Sequence, residues 1–284
     1  YETDYFSSII GIFSDHPEIV GLSNPYYHRL GTDNAANYAI LRYEIYMRNY
    51  AINMLLIDNP YHFTALGSAL ATQVKTYKRV GGISPKNSGE DFYFLQKLRK
   101  YGYLHHWNSS KAYPEARFSS RVSFGTGPAM IKGNAGDWSS YPIYKSSLFQ
   151  EVKKTYSLFP ELFIQDQVTP MTTFLQSQLK KESPWNLLRK NSKTASQFVK
   201  ACSILVDGLR ILQFLKLENK FEEATQWENL RDNILYFSAV ESEFSNELKK
   251  IAMSFNLNEL QSLKELRDTL TNFEYYLRKL KSIP

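Results

Sequence analysis

The sequence has a single cysteine, Cys202, among its 284 residues, which excludes an internal disulfide or a metal site built from several cysteines. Cys202 lies in an apolar stretch with helical periodicity, so we expect an inert core residue. No segment approaches the roughly 18 apolar residues of a membrane-spanning helix. No charged start precedes an apolar stretch, so we predict no secretion signal and a cytoplasmic location, either free or at the inner face of the membrane.

Two common catalytic motifs are also missing: the glycine-rich phosphate loop of nucleoside triphosphatases and the Gly-x-Ser-x-Gly elbow of hydrolases. The net charge of +6 favours an anionic ligand or surface, but the basic residues are dispersed, so we predict no nucleic-acid interface. Hydrophobic residues are abundant at 43%, and aromatic residues reach 15%. The chain therefore encodes a packed core and has aromatic side chains to line a groove.

Glycine is scarce in the second half of the chain, where Gly208 is the only one after Gly136. Before residue 145, short strand-like runs alternate with helical ones between glycines and prolines. After that point almost every segment has helical periodicity. We therefore predict an α/β domain with a mixed sheet over 1–145 and an all-α helical domain over 146–284.

In the first half, periodicity and turn residues predict helices over 4–13, 35–57, 74–80 and 91–101. Strands or extended segments are predicted over 18–27, 62–72, 103–107 and 110–113. Asn34 is the expected cap of the long helix, whose apolar positions indicate burial on more than one side. The stretch 117–136 is predicted to be an ordered loop.

In the second half, helices are predicted over 146–158, 168–181, 194–217, 221–237, 241–255 and 258–281. In the last of these, leucines and Phe273 recur at alternating spacings of three and four residues, a period of 3.5. This seam indicates a helix that packs along its length. An intramolecular bundle is the favoured interpretation, and a coiled coil in a homodimer is the alternative.

The acidic pair Glu90-Asp91 follows Gly89 at the start of a predicted helix, and this position has two interpretations. The first is capping, since unpaired amides and the positive end of the helix dipole stabilise carboxylates there. The second is catalysis, because a carboxylate held beside a cleft can accept a proton from a bound hydroxyl. The dipeptide alone favours capping.

The segments around this pair favour catalysis. In chain order they are Gly67-Ser68-Ala69, a helix ending in Val80-Gly81-Gly82-Ile83, Gly89–Leu95, Gly102, Arg117, Arg121 and Phe124-Gly125-Thr126-Gly127. This order, over roughly residues 4–130, resembles the second half of inverting family 2 glycosyltransferases, which have the GT-A fold. Together with His28 and Tyr43-Glu44, it looks like a bacterial subgroup that carries GEDFYFL and FGTG motifs. The resemblance implies a partial GT-A domain with a Rossmann-like mixed sheet.

The resemblance implies a role for each matching position. Asp91 corresponds to the general base that deprotonates the acceptor hydroxyl, and Glu90 beside it orients the acceptor or tunes the base. Gly67 and Ser68 correspond to the strand that lines the site below the donor sugar, where small residues permit a close approach.

A loop that closes over the donor is the second implied feature. Arg117 and Arg121 lie in it, and the planar guanidinium group suits a diphosphate because it can bond two oxygens at once. Ordinary surface salt bridges are the alternative for both arginines. Phe124, Gly125 and Gly127 would form a hinged lid, with the glycines allowing motion and the aromatic ring covering a sugar or base.

The chain also departs from the family pattern. The nucleotide-binding half, with the Asp-x-Asp motif that holds Mn²⁺ or Mg²⁺, is not visible, and Glu2-Thr3-Asp4 is interpreted as a helix start. We therefore expect a fragment lacking about a hundred residues, with the metal ligands in the missing N-terminal half. Residues 112–117 contain no histidine where many family members place a metal ligand. His105 and His106 are weak candidates, because adjacent strand residues point to opposite faces.

These observations predict a glycosyltransferase that moves a sugar from a nucleoside diphosphate donor to a hydroxyl acceptor with inversion. The acceptor is expected to be a sugar or a lipid-linked hydroxyl, with peripheral membrane contact as a further expectation. The alternative is a non-catalytic helical interaction module or a degenerate transferase domain. Tyr26, Tyr27 and His28 are either contacts to the acceptor or residues of the core edge, and the core edge is favoured.

Overall fold

The computed structural model describes residues 1–219 and 221–282, apart from the side chains of Ser68, Glu223 and Ala224. It is mostly helical, at 59%, with a small three-stranded mixed sheet. The coarse prediction of an α/β region followed by a helical region agrees with this arrangement. None of the described helices is both long and apolar enough to cross a membrane.

The sheet consists of β1 (Gly21–Ser23), β2 (Leu70–Thr72) and β3 (Leu104–His105) in the order β2-β1-β3. β1 pairs antiparallel with β2 and parallel with β3. The strands predicted over 18–27 and 110–113 are shorter than expected and continue only as isolated bridges, Tyr26 with Ala112 and Arg29 with Glu115. Pro25 and Pro114 have no N–H to donate to a ladder, which accounts for the interruption.

The helices of the first half are α1 (Tyr5–Asp15), α2 (Asn34–Leu56), α3 (Val74–Arg79), α4 (Glu90–Tyr101) and α5 (Thr126–Asn134). The cap prediction for α2 was wrong by one residue, because the Asp33 side chain accepts hydrogen bonds from the amides of Ala35 and Ala36. The loop prediction over 117–136 was also wrong in part. α5 forms there because Met130 packs with Ala36, Ala39 and Ile40 of α2.

The helices of the second half are α6 (Ser146–Ser157), α7 (Phe159–Ile164), α8 (Thr172–Leu179), α9 (Asn186–Lys190), α10 (Ala195–Leu205), α11 (Gly208–Glu218), α12 (Glu223–Val240), α13 (Ser245–Ser254) and α14 (Leu260–Leu280). The prediction of one helix over 194–217 was wrong. The helix ends before Asp207, whose side chain caps α11 by accepting a hydrogen bond from the amide of Arg210.

Two large apolar cores hold the molecule together, and both draw residues from either side of residue 145. In the first core, Leu98 of α4 packs in one cluster with Phe149 of α6 and Phe214 of α11. In the second, Ile45 of α2 is clustered with Phe273 of α14. α2 contributes to both, as its predicted burial on several sides required.

The seam of α14 is part of the second core. Leu263, Leu266, Leu270, Phe273 and Leu277 are at most 2% exposed, whereas Leu280 at the end is 61% exposed. The intramolecular interpretation is therefore what the structure shows. The seam residues are buried against the same chain, and a homodimer through the C-terminal helices stays a prediction. Cys202 is a core residue as predicted, and burial raises the pKa of its thiol to about 12.

Candidate active site

A cleft of about 750 Å³ lies between α2, the start of α4 and the loop that leads into α5. Eight of the nine site residues named from the sequence line it: Gly67, Glu90, Asp91, Arg117, Arg121, Phe124, Gly125 and Gly127. The ninth, Ser68, lies in the same short turn as Gly67, but its side chain is outside the described part of the chain. Residues that are distant in sequence therefore meet around one cavity.

Asp91 lies in the first turn of α4, directly after Glu90 and the left-handed Gly89 with φ of 72°. Its carboxylate is half-buried, and Oδ1 accepts a hydrogen bond from the amide of Phe92 at 2.7 Å. A Cβ atom added at Gly67 would lie 3.6 Å from Oδ2, so Gly67 leaves one side of the carboxylate uncovered.

The electrostatic surroundings of Asp91 favour proton uptake. Burial raises the pKa of this carboxyl, and the negative charge of Glu90 acts in the same direction, while backbone hydrogen bonds at Phe92 and Gly67 oppose both. Among the described residues no cation pairs with Asp91. The capping and catalytic interpretations are compatible, since one helix amide holds the carboxylate in place without neutralising its charge.

The loop from Arg117 to Gly127 forms the opposite rim of the cleft. Both arginines are exposed, and within the described chain neither guanidinium group has an ion-pair or hydrogen-bond partner. The surface salt bridges offered as their alternative role are therefore not formed. Two unpaired guanidinium groups at a cleft mouth form a suitable site for an anionic group.

The tip of this loop docks on the turn that precedes Asp91. A Cβ atom at Gly89 would lie 2.9 Å from the ring of Phe124, and Ser88 Oγ is 2.9 Å from Ser123 Oγ. Phe124 itself is 55% exposed, and Gly125 has a φ of 109° that other residues rarely adopt. The loop therefore rests on the Asp91 turn through a small contact.

Sequence reasoning missed the wall that α2 contributes. Tyr43, Tyr46 and Tyr50 all line the cleft, and the spacing i, i+3, i+7 places them on one helix face. Phe63, Phe92 and Leu212 complete the aromatic and apolar lining. The tyrosine spacing was visible in the sequence, but it is equally typical of a core helix. Leu212 belongs to α11, so the helical half also reaches the cleft.

A buried cluster of ion pairs stands behind this wall. Arg48 Nε donates to Glu44 Oε1 at 3.0 Å, and Arg48 NH1 donates to Glu274 Oε2 at 2.7 Å. Arg267 NH1 lies 3.2 Å from Glu44 Oε2, and Arg278 Nε is 2.7 Å from Glu274 Oε1. These bonds join α2 to α14 in the interior.

The ion-pair cluster strongly affects the pKa of Glu44. Burial alone would raise its pKa, but Arg48, His28 and Arg267 outweigh burial and hold the pKa at about 2. His28 Nδ1 is 2.9 Å from Glu44 Oε2. Both Tyr26 and His28 are 2% exposed, as predicted for a core edge, yet His28 also lines the cleft.

The other histidines lie away from the cleft lining. His106 contacts the ring of His62 at a centroid distance of 4.3 Å, and burial lowers the pKa of both residues. Among the described residues no group of three or more His, Cys, Asp or Glu side chains could hold a metal ion. Glu2 instead accepts hydrogen bonds from the Tyr113 hydroxyl and the Lys111 amide, which ties the first residues to the 111–113 segment.

Comparisons of this chain with protein-family models, with curated proteins and with solved structures find no match. Within the described chain, the cleft combines a half-buried carboxylate without a cationic partner, two unpaired arginines at the rim, and an aromatic wall.

Proposed function

We propose that the chain acts as an inverting glycosyltransferase of the GT-A type, which transfers a sugar from a nucleoside diphosphate to a hydroxyl. One observation supports this proposal most strongly. Eight residues that the resemblance assigns to the site, spread from Gly67 to Gly127, line one cleft together, with the carboxylate of Asp91 among them. Chance similarity of short motifs would not require their side chains to meet.

In the proposed reaction, Asp91 accepts the proton of the acceptor hydroxyl while that oxygen forms a bond to the anomeric carbon of the donor sugar. The bond from that carbon to the diphosphate oxygen breaks on the opposite face, so the configuration inverts and the nucleoside diphosphate leaves with the electron pair. The raised pKa of Asp91 suits this step, because a stronger base accepts a proton more readily. Arg117 and Arg121 are placed to balance the diphosphate charge.

The divalent cation implied by the resemblance would neutralise diphosphate charge when it is bound. The described residues offer no cluster for it, and no step is assigned to it here.

The test is turnover of nucleotide sugars by the full-length protein and its Asp91→Asn variant. UDP-, GDP- and dTDP-linked sugars are offered with Mg²⁺ or Mn²⁺ and a panel of glycoside acceptors, and nucleoside diphosphate release is measured. Loss of the base should lower the rate by roughly 10²–10⁴-fold. The matched control is Asp232→Asn, at an exposed position on α12.

Two results would contradict the proposal. Equal rates for the Asp91 and Asp232 variants would remove Asp91 from the mechanism. Absence of turnover with every donor would favour the alternative, a non-catalytic helical module or a degenerate transferase domain, for which the largely helical architecture is the supporting observation.

A further inference from the structure

Two tyrosines of α2 and the nearby His28 carry polar atoms that have no hydrogen-bond partner in the described chain. Within the described chain, the hydroxyls of Tyr46 and Tyr50 and the Nε2 atom of His28 form no hydrogen bond, although all three residues line the cleft. None of these atoms is among the described side-chain atoms that are both enclosed and without a partner, so each retains some accessible surface. Three polar groups without a partner in the described chain therefore belong to residues that line the same cavity.

The orientation of His28 is set by its neighbours. Nδ1 and the backbone amide of His28 both approach Glu44 Oε2, at 2.9 and 3.2 Å. An ionised carboxylate only accepts hydrogen bonds, so Nδ1 carries a proton and Nε2 is the ring nitrogen left for a further hydrogen bond. Arg267 NH1 donates to the His28 carbonyl at 3.2 Å, which also fixes the backbone. Glu44 is thus a positioning residue for His28.

The chemistry of this wall selects among ligands. Within the described chain, the unpaired cations of the cleft lining are Arg117 and Arg121 on the loop before α5, so an anionic group would bind there rather than at this wall. A purely aliphatic chain would cover Nε2 and two tyrosine hydroxyls without satisfying them, which is unfavourable. A sugar ring offers hydroxyls to these atoms and apolar C–H faces to the aromatic side chains.

We propose that the α2 wall and the adjoining His28 form the binding subsite for a neutral sugar acceptor, in which His28 Nε2 forms a hydrogen bond with a sugar hydroxyl and Tyr46 and Tyr50 contact the same ring. This inference rests on the proposed function and specifies its acceptor as a carbohydrate. The sugar would then lie between the α2 wall and Asp91.

The test measures binding directly. Methyl glycosides of glucose, galactose, mannose, N-acetylglucosamine and rhamnose are titrated against the full-length protein by saturation-transfer NMR, with octyl phosphate as a lipid-like probe. His28→Asn retains an amide near the Nδ1 position, able to bond Glu44, but has no atom at the Nε2 position. We expect this variant to remain folded and to bind the recognised glycoside roughly tenfold more weakly. His28→Gln, which can place an amide near Nε2, should bind better than His28→Asn.

Controls keep the outcome decisive. His16→Asn, at a residue that does not line the cleft, should bind as the unsubstituted protein does. Tyr46→Phe keeps the ring and loses only the hydroxyl, so it should also weaken binding. This variant tests the subsite if His28→Asn fails to fold. Unchanged binding in the folded variants, or binding of octyl phosphate without any glycoside, would overturn the proposal.

The two proposals fail separately. Asp91→Asn should abolish transfer and still bind the glycoside. If Asp91→Asn transfers normally while His28→Asn loses binding, the subsite stands and the proposed reaction fails. If Asp91→Asn is inactive while His28→Asn binds normally, the reaction stands and the subsite fails.

Discussion

Two carboxylates on helices that line the same cleft are held in opposite ways. Glu44 of α2 is fully buried and meets His28, Arg48 and Arg267, which keep its pKa at about 2 despite its burial. Asp91 of α4 is only half-buried, but it has no cationic partner in the described chain, and burial raises its pKa. The more buried group is therefore the more firmly ionised one.

This contrast teaches that partners, rather than depth, decide what a buried carboxylate can do. Glu44 has its charge matched on several sides, so protonation is unfavourable and the group serves to fix α2 against α14. Asp91 has its charge unmatched, so proton uptake is easier, which suits a base. We expect substitutions at the two positions to have opposite effects on stability and activity.

The largest effect on stability should come from Glu44→Gln. The change leaves buried Arg48 and Arg267 facing a neutral group, and breaking such a pair costs about 3–5 kcal/mol of unfolding free energy. Urea unfolding followed by circular dichroism measures this loss. The matched control is Glu228→Gln at an exposed site on α12, where we expect almost no change. Similar midpoints for both variants would mean that the ion cluster does not stabilise the fold.

The buried histidines and Glu44 should lower the stability of the protein over different ranges of acidic pH. Burial lowers the pKa of His62 to about 3 and that of His105 to about 4, so the folded state resists protonation that the unfolded state accepts below about 6.5. Stability therefore falls as pH drops from 6.5, and each such histidine costs about 2 kcal/mol at pH 5.

The Glu44 contribution has a different window. Its folded pKa is depressed, so its contribution is present above about 4.5 and is lost as pH falls toward about 2. Melting temperatures between pH 7 and pH 2 should thus fall gradually below pH 6.5 and more steeply below about pH 4.5, and Glu44→Gln should lack this second, steeper stage. A single stage that is unchanged in Glu44→Gln would contradict the comparison.

Part of this arrangement was predictable from local sequence. The glycines around Asp91 mark a turn and a helix start, and α4 begins within one residue of the predicted position. The break before Asp207 and the helix α5 were missed, because a capping side chain and the packing of Met130 outweigh the local pattern there.

The buried ion cluster was not predictable in this way. Glu44 and Arg267 are 223 positions apart, and each looks like an ordinary charged residue of a solvated helix face. The i, i+4 spacing of Glu44 and Arg48 was visible, but such pairs are common on exposed helices. Likewise, the cleft-facing tyrosines of α2 have the same spacing as core residues. Only tertiary contacts distinguish these cases.

A smaller effect is expected at the turn before Asp91. Gly89 has a φ of 72°, and a Cβ atom there would lie 2.9 Å from the Phe124 ring. Gly89→Ala should lose about 1–2 kcal/mol from backbone strain and also displace Phe124. Gly81→Ala is the matched control, because Gly81 has a φ of 74° and open space around its Cβ position. Equal nucleotide-sugar turnover in both variants would show that the contact between Phe124 and the turn before Asp91 does not contribute to activity.

The smallest change in stability, and the sharpest test of the comparison, is expected for Asp91→Asn. An amide of the same shape removes a charge that burial disfavours and that no described cation balances, so the melting temperature should stay level or rise slightly. The same substitution should nearly abolish transfer. A loss of stability as large as that of Glu44→Gln would mean that Asp91, too, is held by the fold as a structural anion. In that case the cleft carboxylate would be an ordinary helix cap, and its raised pKa would have no catalytic meaning.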